Sequence, residues 1–197
     1  AQNGNSENKH LMSEEFESRD PQAGTPVPHE EAAFLWSNFF QRDREKDILT
    51  LLRGVPIFEG LGRSQLRAVE RILHRRKYHA GEYIFREGEP GLGMYIIEQG
   101  EVSIVSESRS SEISRLGKGE FFGEMSMFND RPRTASALAY EDTKVFGFFQ
   151  PDLLSLLETR PSIGTKVVMM LSRILAERLY KAGQENARLR SELFLRD

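Results

Sequence analysis

The segment MYIIEQGEVSIVS, residues 94–106, holds two short runs of apolar and β-branched residues on either side of Gly100. Two such runs joined by a glycine turn are typical of a β-hairpin. Similar runs precede and follow this segment at near-regular spacing, and glycines separate them. The predicted strands are Lys77–Tyr78, Tyr83–Arg86, Met94–Glu98, Val102–Ser106, Ile113–Leu116, Ala135–Ala139 and Val145–Phe149. Many short strands with glycine turns favour an antiparallel, jelly-roll-like β-roll.

Helical patterns lie on both sides of these strands. Between residues 32 and 54, apolar residues recur at intervals of three and four, which predicts amphipathic N-terminal helices. A further helix is predicted over Ser64–His74, with Ser64 as its N-cap. After Pro151 the helical period returns and predicts a short helix at Asp152–Glu158 and a long one from Ser162 to about Leu195. The fold class is therefore α+β, a β-roll flanked by N-terminal helices and a long C-terminal helix.

The first 31 residues differ in composition from the rest of the chain. They contain two basic and seven acidic residues, a net charge of −5, whereas the whole 197-residue chain has a net charge of −3. Three prolines and few apolar residues accompany these charges, so a flexible acidic tail is predicted. The predicted organisation is a tail at 1–31, N-terminal helices at 32–54, a β-roll domain at 55–160 and the C-terminal helix at 161–197.

Composition argues against several classes of function. Lys and Arg number 27 and Asp and Glu number 30, whereas proteins that bind nucleic-acid phosphates usually carry a basic excess. The sequence contains no Cys, which removes disulfides, thiolate metal sites and a Cys nucleophile. Because no apolar run approaches about 18 residues, no membrane span is expected, and a cytoplasmic location is the simplest expectation.

A metal-dependent β-barrel enzyme would need His and carboxylate ligands clustered on neighbouring strands. The four histidines are His10, His29, His74 and His79, and none falls among the central strands in such a pattern. We therefore expect no metal site, no catalytic residue and no enzymatic activity.

Residues 121–135, FFGEMSMFNDRPRTA, carry the strongest indication of a binding site. One helical turn fits between Glu124 and Phe128, and its N-terminal amides would suit an anion. Gly123 lets the backbone approach a ligand closely, and Arg133 can hold a phosphate through two parallel hydrogen bonds. Glu124 can accept a hydrogen bond from a sugar hydroxyl. Together these groups would suit a cyclic phosphodiester joined to a ribose.

With the stretches Gly81–Gly88 and Met94–Val102, this segment resembles the cyclic nucleotide-binding domain family. That family includes the regulatory subunit of protein kinase A, cyclic-nucleotide-gated channels and bacterial catabolite activators. The resemblance runs from about Val55 to Tyr180, and the nine-residue step from Glu124 to Arg133 is similar to the eukaryotic-type phosphate-binding cassette. It implies a regulatory or sensor protein whose ligand is cAMP or cGMP.

The resemblance also implies a role for each matching residue. Arg133 would pair with the cyclic phosphate, and backbone amides near Ser126 and at Thr134 would complete that site. Glu124, with the Gly123 backbone, would bind the ribose 2′-hydroxyl. The base pocket would be lined by Ile104 and Leu116. The candidate ligand-binding residues are therefore Gly123, Glu124, Met125, Ser126, Arg133, Thr134, Ile104 and Leu116.

The choice of base stays open at this level. Thr134 resembles the hydroxyl residue with which cyclic-GMP-dependent kinases contact a syn guanine, but some channels with the same Arg-Thr-Ala run respond mainly to cAMP. The catabolite activators place two hydroxyl residues at the positions of Ala182 and Gly183, where they contact adenine. Those hydroxyls are missing in this sequence. The sequence therefore permits both ligands.

The C-terminal helix offers the expected route for output. An approximate apolar seam of Val168, Leu171, Leu175, Leu179, Ala182, Leu189 and Leu193 makes a homodimer plausible, and signalling to an unidentified effector protein would pass through this helix. Because only two residues follow Leu195, the helix-turn-helix of the activators does not fit, and DNA binding is not expected. The alternative is a ligand-free module of the same fold that acts as a structural or dimerisation protein.

Overall fold

The computed structural model describes residues 47–108 and 110–194. The tail predicted at 1–31 and the helical residues predicted at 32–46 lie outside this part of the chain. The described chain starts in helix α1 (47–54), followed by a 3₁₀ turn at Pro56–Phe58 and helix α2 (Arg63–Glu70). After the strands come α3 (Gln150–Thr159) and α4 (Pro161–Phe194).

Two four-stranded sheets lie between α2 and α3. The strands are β1 (His74–Tyr78), β2 (Tyr83–Phe85), β3 (Gly93–Gln99), β4 (Val102–Ser106), β5 (Ser111–Leu116), β6 (Phe121–Phe122), β7 (Ser136–Ala139) and β8 (Thr143–Phe149). One sheet has the order β1-β8-β3-β6 and the other β2-β7-β4-β5, with antiparallel pairing throughout. The predicted α+β class and antiparallel β-roll are confirmed. β6 was not predicted, because two residues are too short to show a period.

The helix predicted over Ser64–His74 was wrong at both ends. Its N-cap is Gly62, whose N–H donates to Gln65 Oε1 at 3.0 Å, so Ser64 is not the capping residue. The helix ends at Glu70, and His74 begins β1. This strand is mostly exposed at the sheet edge, so its charged residues show no alternation that would mark it as a strand in the sequence.

The two faces of the β1-β8-β3-β6 sheet pack into different apolar clusters. The larger cluster joins this sheet to the helices, and its fully buried members include Leu52, Leu66, Ile96, Phe148 and Leu171. The smaller cluster fills the interior of the roll and includes Ile97, Val102, Phe122, Ala137 and Val145. Because successive side chains of a strand point to opposite faces, adjacent residues such as Ile96 and Ile97 enter different clusters.

Helix α4 packs on the roll only along its first half. Leu171 is fully buried and belongs to the helix-side cluster. Further along, Leu179, Leu189 and Leu193 are 75%, 49% and 65% exposed. The second half of the predicted seam has no cover within the described chain, so a paired helix remains a prediction.

Candidate functional site

The candidate site is built around a tight turn after β6. Gly123 has a φ of +78° and leads into a 3₁₀ helix at Glu124–Met127, which we term the cassette helix. A Cβ at Gly123 would lie 2.6 Å from Arg133 Nη1 and 3.2 Å from the Gly93 carbonyl oxygen. Both the left-handed backbone and the lack of space therefore require glycine here. The helical turn predicted after Gly123 is confirmed.

Arg133 is the central side chain of the site, and it is 7% exposed. Its Nη1 donates to the Gly123 carbonyl at 3.1 Å and to Ser126 Oγ at 2.9 Å, while Nη2 donates to the Gly93 carbonyl at 2.8 Å. The guanidinium carbon lies 3.9 Å from the centre of the Phe85 ring, a cation–π distance. These contacts from four elements fix the guanidinium in one position.

The positive charge of Arg133 is not matched by a protein counterion. No described carboxylate lies within ion-pair distance of it, and its buried Nε has no hydrogen-bond partner among the residues the structure describes. Burial lowers the pKa of Arg133 below its ordinary value, because removal from water disfavours the charged form. A buried cation held by neutral acceptors is costly unless an anion joins it. The site is therefore chemically suited to an anionic group.

The buried carboxylate of the cassette helix is connected to the C-terminal helix. Glu124 is 4% exposed, and Arg178 Nη1 of α4 donates to its Oε1 at 2.5 Å. Arg178 is half exposed and lies over the Phe121 ring, with its guanidinium carbon 5.2 Å from the ring centre. One direct ion pair thus joins the site to a residue 54 positions later in the chain.

These residues surround a cavity of about 340 Å³, within the range of small-molecule pockets. All eight residues predicted from the sequence line it: Gly123, Glu124, Met125, Ser126, Arg133, Thr134, Ile104 and Leu116. Charged groups lie at the end formed by Arg133 and Glu124, and half-buried Ile104 and Leu116 supply apolar surface from β4 and β5. The structure brings the predicted residues together, and their binding roles remain predictions.

Sequence reasoning missed several residues of the cavity. Ser114 lines it and lies directly opposite Ile104 in the β4–β5 pair. Its position two residues before Leu116 would have placed it on the same strand face, and that spacing was a usable signal. Phe85 and the Gly93 carbonyl had no such signal, because they reach Arg133 from distant strands.

Neither a metal centre nor a membrane span is found in the described residues. Among residues 47–108 and 110–194, no group of three or more His, Asp or Glu side chains is placed to hold a metal ion. No helix in the same part of the chain combines the length and apolar character needed to cross a bilayer.

Comparison with known proteins identifies the domain that forms this site. Residues 75–160 match the family model described as the cyclic nucleotide-binding domain. The cyclic AMP receptor protein of Thermus thermophilus is 33% identical over 129 residues, which cover 64% of this chain and 60% of that protein. A cAMP-dependent protein kinase regulatory subunit from Colletotrichum orbiculare is 32% identical over 138 residues, covering 64% of this chain and 34% of that protein.

A channel and two solved structures extend the comparison. A cyclic nucleotide-gated potassium channel of Rhizobium etli is 31% identical, covering 69% of this chain and 38% of the channel. The crystal structure of the Thermus thermophilus catabolite activator protein is 34% identical, with a TM-score of 0.62, covering 68% of this chain and 62% of that chain. A cyclic nucleotide-binding domain from Methylobacillus flagellatus is 25% identical, with a TM-score of 0.63, covering 73% and 82%. The chain thus spans between about a third and 60% of these three curated relatives.

Proposed function

This chain carries a cyclic nucleotide-binding domain, and we propose that it is a non-catalytic, cytoplasmic sensor that binds cAMP or cGMP in the cavity around Arg133. The observation that carries the proposal is the buried guanidinium of Arg133, which has three neutral acceptors and no carboxylate partner among the described residues. A cyclic phosphodiester has one negative charge, and that charge would supply the missing counterion. Charge-assisted hydrogen bonds of this kind are about twice as strong as neutral ones.

Glu124 is proposed to hold the sugar of the same ligand. Its Oε1 is occupied by Arg178, which leaves Oε2 to accept a hydrogen bond from the ribose 2′-hydroxyl. The left-handed turn at Gly123 keeps this carboxylate next to the phosphate site. Phosphate and ribose would then be recognised by neighbouring residues of a single turn.

The base is proposed to contact the part of the cavity formed by β4, β5 and the residue after Arg133. Ile104 and Leu116 supply apolar surface, while Ser114 and Thr134 supply hydroxyl groups. The printed names of two relatives specify cAMP, and the third names only cyclic nucleotides. Both cyclic nucleotides therefore remain candidate ligands.

Replacing Thr134 with alanine tests the base contact. If the Thr134 hydroxyl bonds guanine, Thr134→Ala weakens cGMP binding by about 0.5–1.5 kcal/mol, roughly twofold to thirteenfold, which is the range for one hydrogen bond. Binding of cAMP stays within about twofold. Calorimetry on the two ligands measures both values, and Thr134→Val keeps the β-branched shape as a control. Equal losses for both ligands would contradict a guanine-specific contact.

Output is proposed to pass through α4. The Glu124–Arg178 ion pair connects the cassette helix to α4, so a ligand that changes this pair would favour one position of the helix over another. The exposed leucines Leu179, Leu189 and Leu193 are the proposed contact face for an identical helix or an effector protein.

The decisive experiment is a parallel calorimetric titration of the purified chain with cAMP and cGMP. Saturable binding of either ligand at one per chain supports the proposal. Absence of heat and of saturation with both ligands at millimolar concentration contradicts it.

A ligand-free structural module is the second candidate, and one observation favours it. Both Nη atoms of Arg133 already donate to internal acceptors, and Glu124 already pairs with Arg178, so the empty site retains internal polar contacts. Thermal unfolding separates the two candidates. A true ligand at about ten times its Kd stabilises the chain by about 1.4 kcal/mol and raises the melting temperature. A module without a ligand shows no shift.

A further inference from the structure

A second cavity lies between α1 and the sheet of β1, β8 and β3. Its volume is about 540 Å³, and it shares no lining residue with the cavity around Arg133. Four cationic side chains line it, from β1, β8 and the turn before β6. They are Arg75, Lys77, Lys118 and Lys144. We term this cavity the lysine groove.

Two of these lysines form an unfavourable pair. Lys77 of β1 and Lys144 of β8 are direct partners in the antiparallel ladder, so their side chains leave the same face of the sheet. Like charges at directly opposed positions destabilise a sheet. Lys144 donates to the neutral Gln99 side chain at 2.9 Å, and Lys77 has no hydrogen-bond or ion-pair partner within residues 47–108 and 110–194.

The carboxylates of the groove do not balance its positive charge. Glu98 already pairs with Arg75, which leaves Asp47 facing three lysines, and Lys118 also has no partner in the described chain. The groove therefore keeps a net positive charge that an anionic partner would neutralise.

The surroundings of the lysines favour carboxylates on a peptide over a small phosphate. Phosphate sites typically use free backbone amides or arginine forks. In the turn that carries Lys118, the Gly117 N–H donates to Glu120 Oε2 and the Gly119 N–H donates to the Ile97 carbonyl, so these amides are already used. Half-buried Ile48 and Leu51 of α1 add apolar surface to the same groove. We propose that the lysine groove binds an acidic peptide of a partner protein, in which carboxylates flank apolar side chains.

Fluorescence anisotropy with an eight-residue labelled peptide of alternating glutamate and leucine tests this proposal on the full chain. We expect saturable binding that weakens about tenfold between 0.05 and 0.5 M salt, because salt screens exposed charges. Lys77→Glu should weaken binding at least about tenfold, since an attraction becomes a repulsion. The same substitution places a carboxylate opposite Lys144, so the melting temperature should rise.

The opposite signs of these two effects distinguish a binding role from a structural one, because a damaged fold would lower both affinity and melting temperature. Lys181→Glu on the exposed face of α4 is the matched control and should leave peptide affinity unchanged. Affinity for cyclic nucleotide should be unchanged in both variants, so this test and the test of the nucleotide site fail independently. The proposal is overturned if a glutamine–leucine peptide binds equally well, if duplex DNA binds more tightly than the peptide, or if Lys77→Glu leaves peptide affinity unchanged.

Discussion

Replacing Arg133 with alanine is expected to lower the affinity for cyclic nucleotide by about 2–5 kcal/mol, roughly thirtyfold to several thousandfold. The reason is that the guanidinium is the buried cation of the site, with Nη1 and Nη2 held by Gly93, Gly123 and Ser126. Removing it takes away the counterion of the cyclic phosphate and leaves that anion desolvated without compensation. Titration calorimetry measures the loss directly.

Two further variants show whether charge alone or the guanidinium geometry matters. Arg133→Lys keeps the charge, but a single ammonium lacks the planar fork that reaches all three acceptors and stacks on Phe85. We expect an affinity between those of the wild type and Arg133→Ala. Arg131→Ala is the matched control, because this exposed arginine lines the same cavity without burial, and it should cost less than about 1 kcal/mol. Wild-type affinity in Arg133→Ala, with the fold verified by circular dichroism, would refute the assignment of the phosphate site.

The parts of the site that were predictable from sequence are those that lie close together along the chain. Residues 121–135 contain the left-handed glycine, the cassette helix, the buried carboxylate and the buried arginine, so the local pattern of residue types already described a binding turn. Glycine and charged residues in such a turn have few alternative explanations, because the turn geometry restricts which residue types fit.

The groups that complete the site were not predictable, for physical reasons. The Gly93 acceptor is a backbone carbonyl, and every residue has one, so only the register of β3 selects it. Arg178 lies on an amphipathic helix, where an arginine that contacts solvent and one that reaches Glu124 have the same sequence pattern. The misplaced boundary between α2 and β1 has a related cause, because edge-strand residues such as Arg75 and Lys77 are exposed and show no alternation.

Replacing Glu124 with alanine is expected to weaken cyclic-nucleotide binding by about 2–3 kcal/mol, roughly thirtyfold to 150-fold. This value lies at the lower end of the range for buried charge pairs, because the partner Arg178 is half exposed and solvent screens its charge. The ligand itself provides the control. 2′-Deoxy-cAMP should bind the wild type more weakly than cAMP does, whereas Glu124→Ala should bind the two ligands equally. A persistent preference for the 2′-hydroxyl in Glu124→Ala would place the sugar contact on another residue.

Arg178 completes this experiment, because it determines whether α4 supports or opposes ligand binding. Since Arg178 uses Oε1 of Glu124 and leaves Oε2 for the ribose, it holds the carboxylate in position. Arg178→Ala should therefore weaken cAMP by roughly threefold to fivefold and reduce the preference for the 2′-hydroxyl, as expected for an exposed ion pair worth up to about 1 kcal/mol. Glu177→Ala, the exposed neighbour on α4, should change neither quantity. If Arg178→Ala instead raises the affinity, the arginine competes with the ribose for Glu124, and ligand binding would release α4 from the cassette helix.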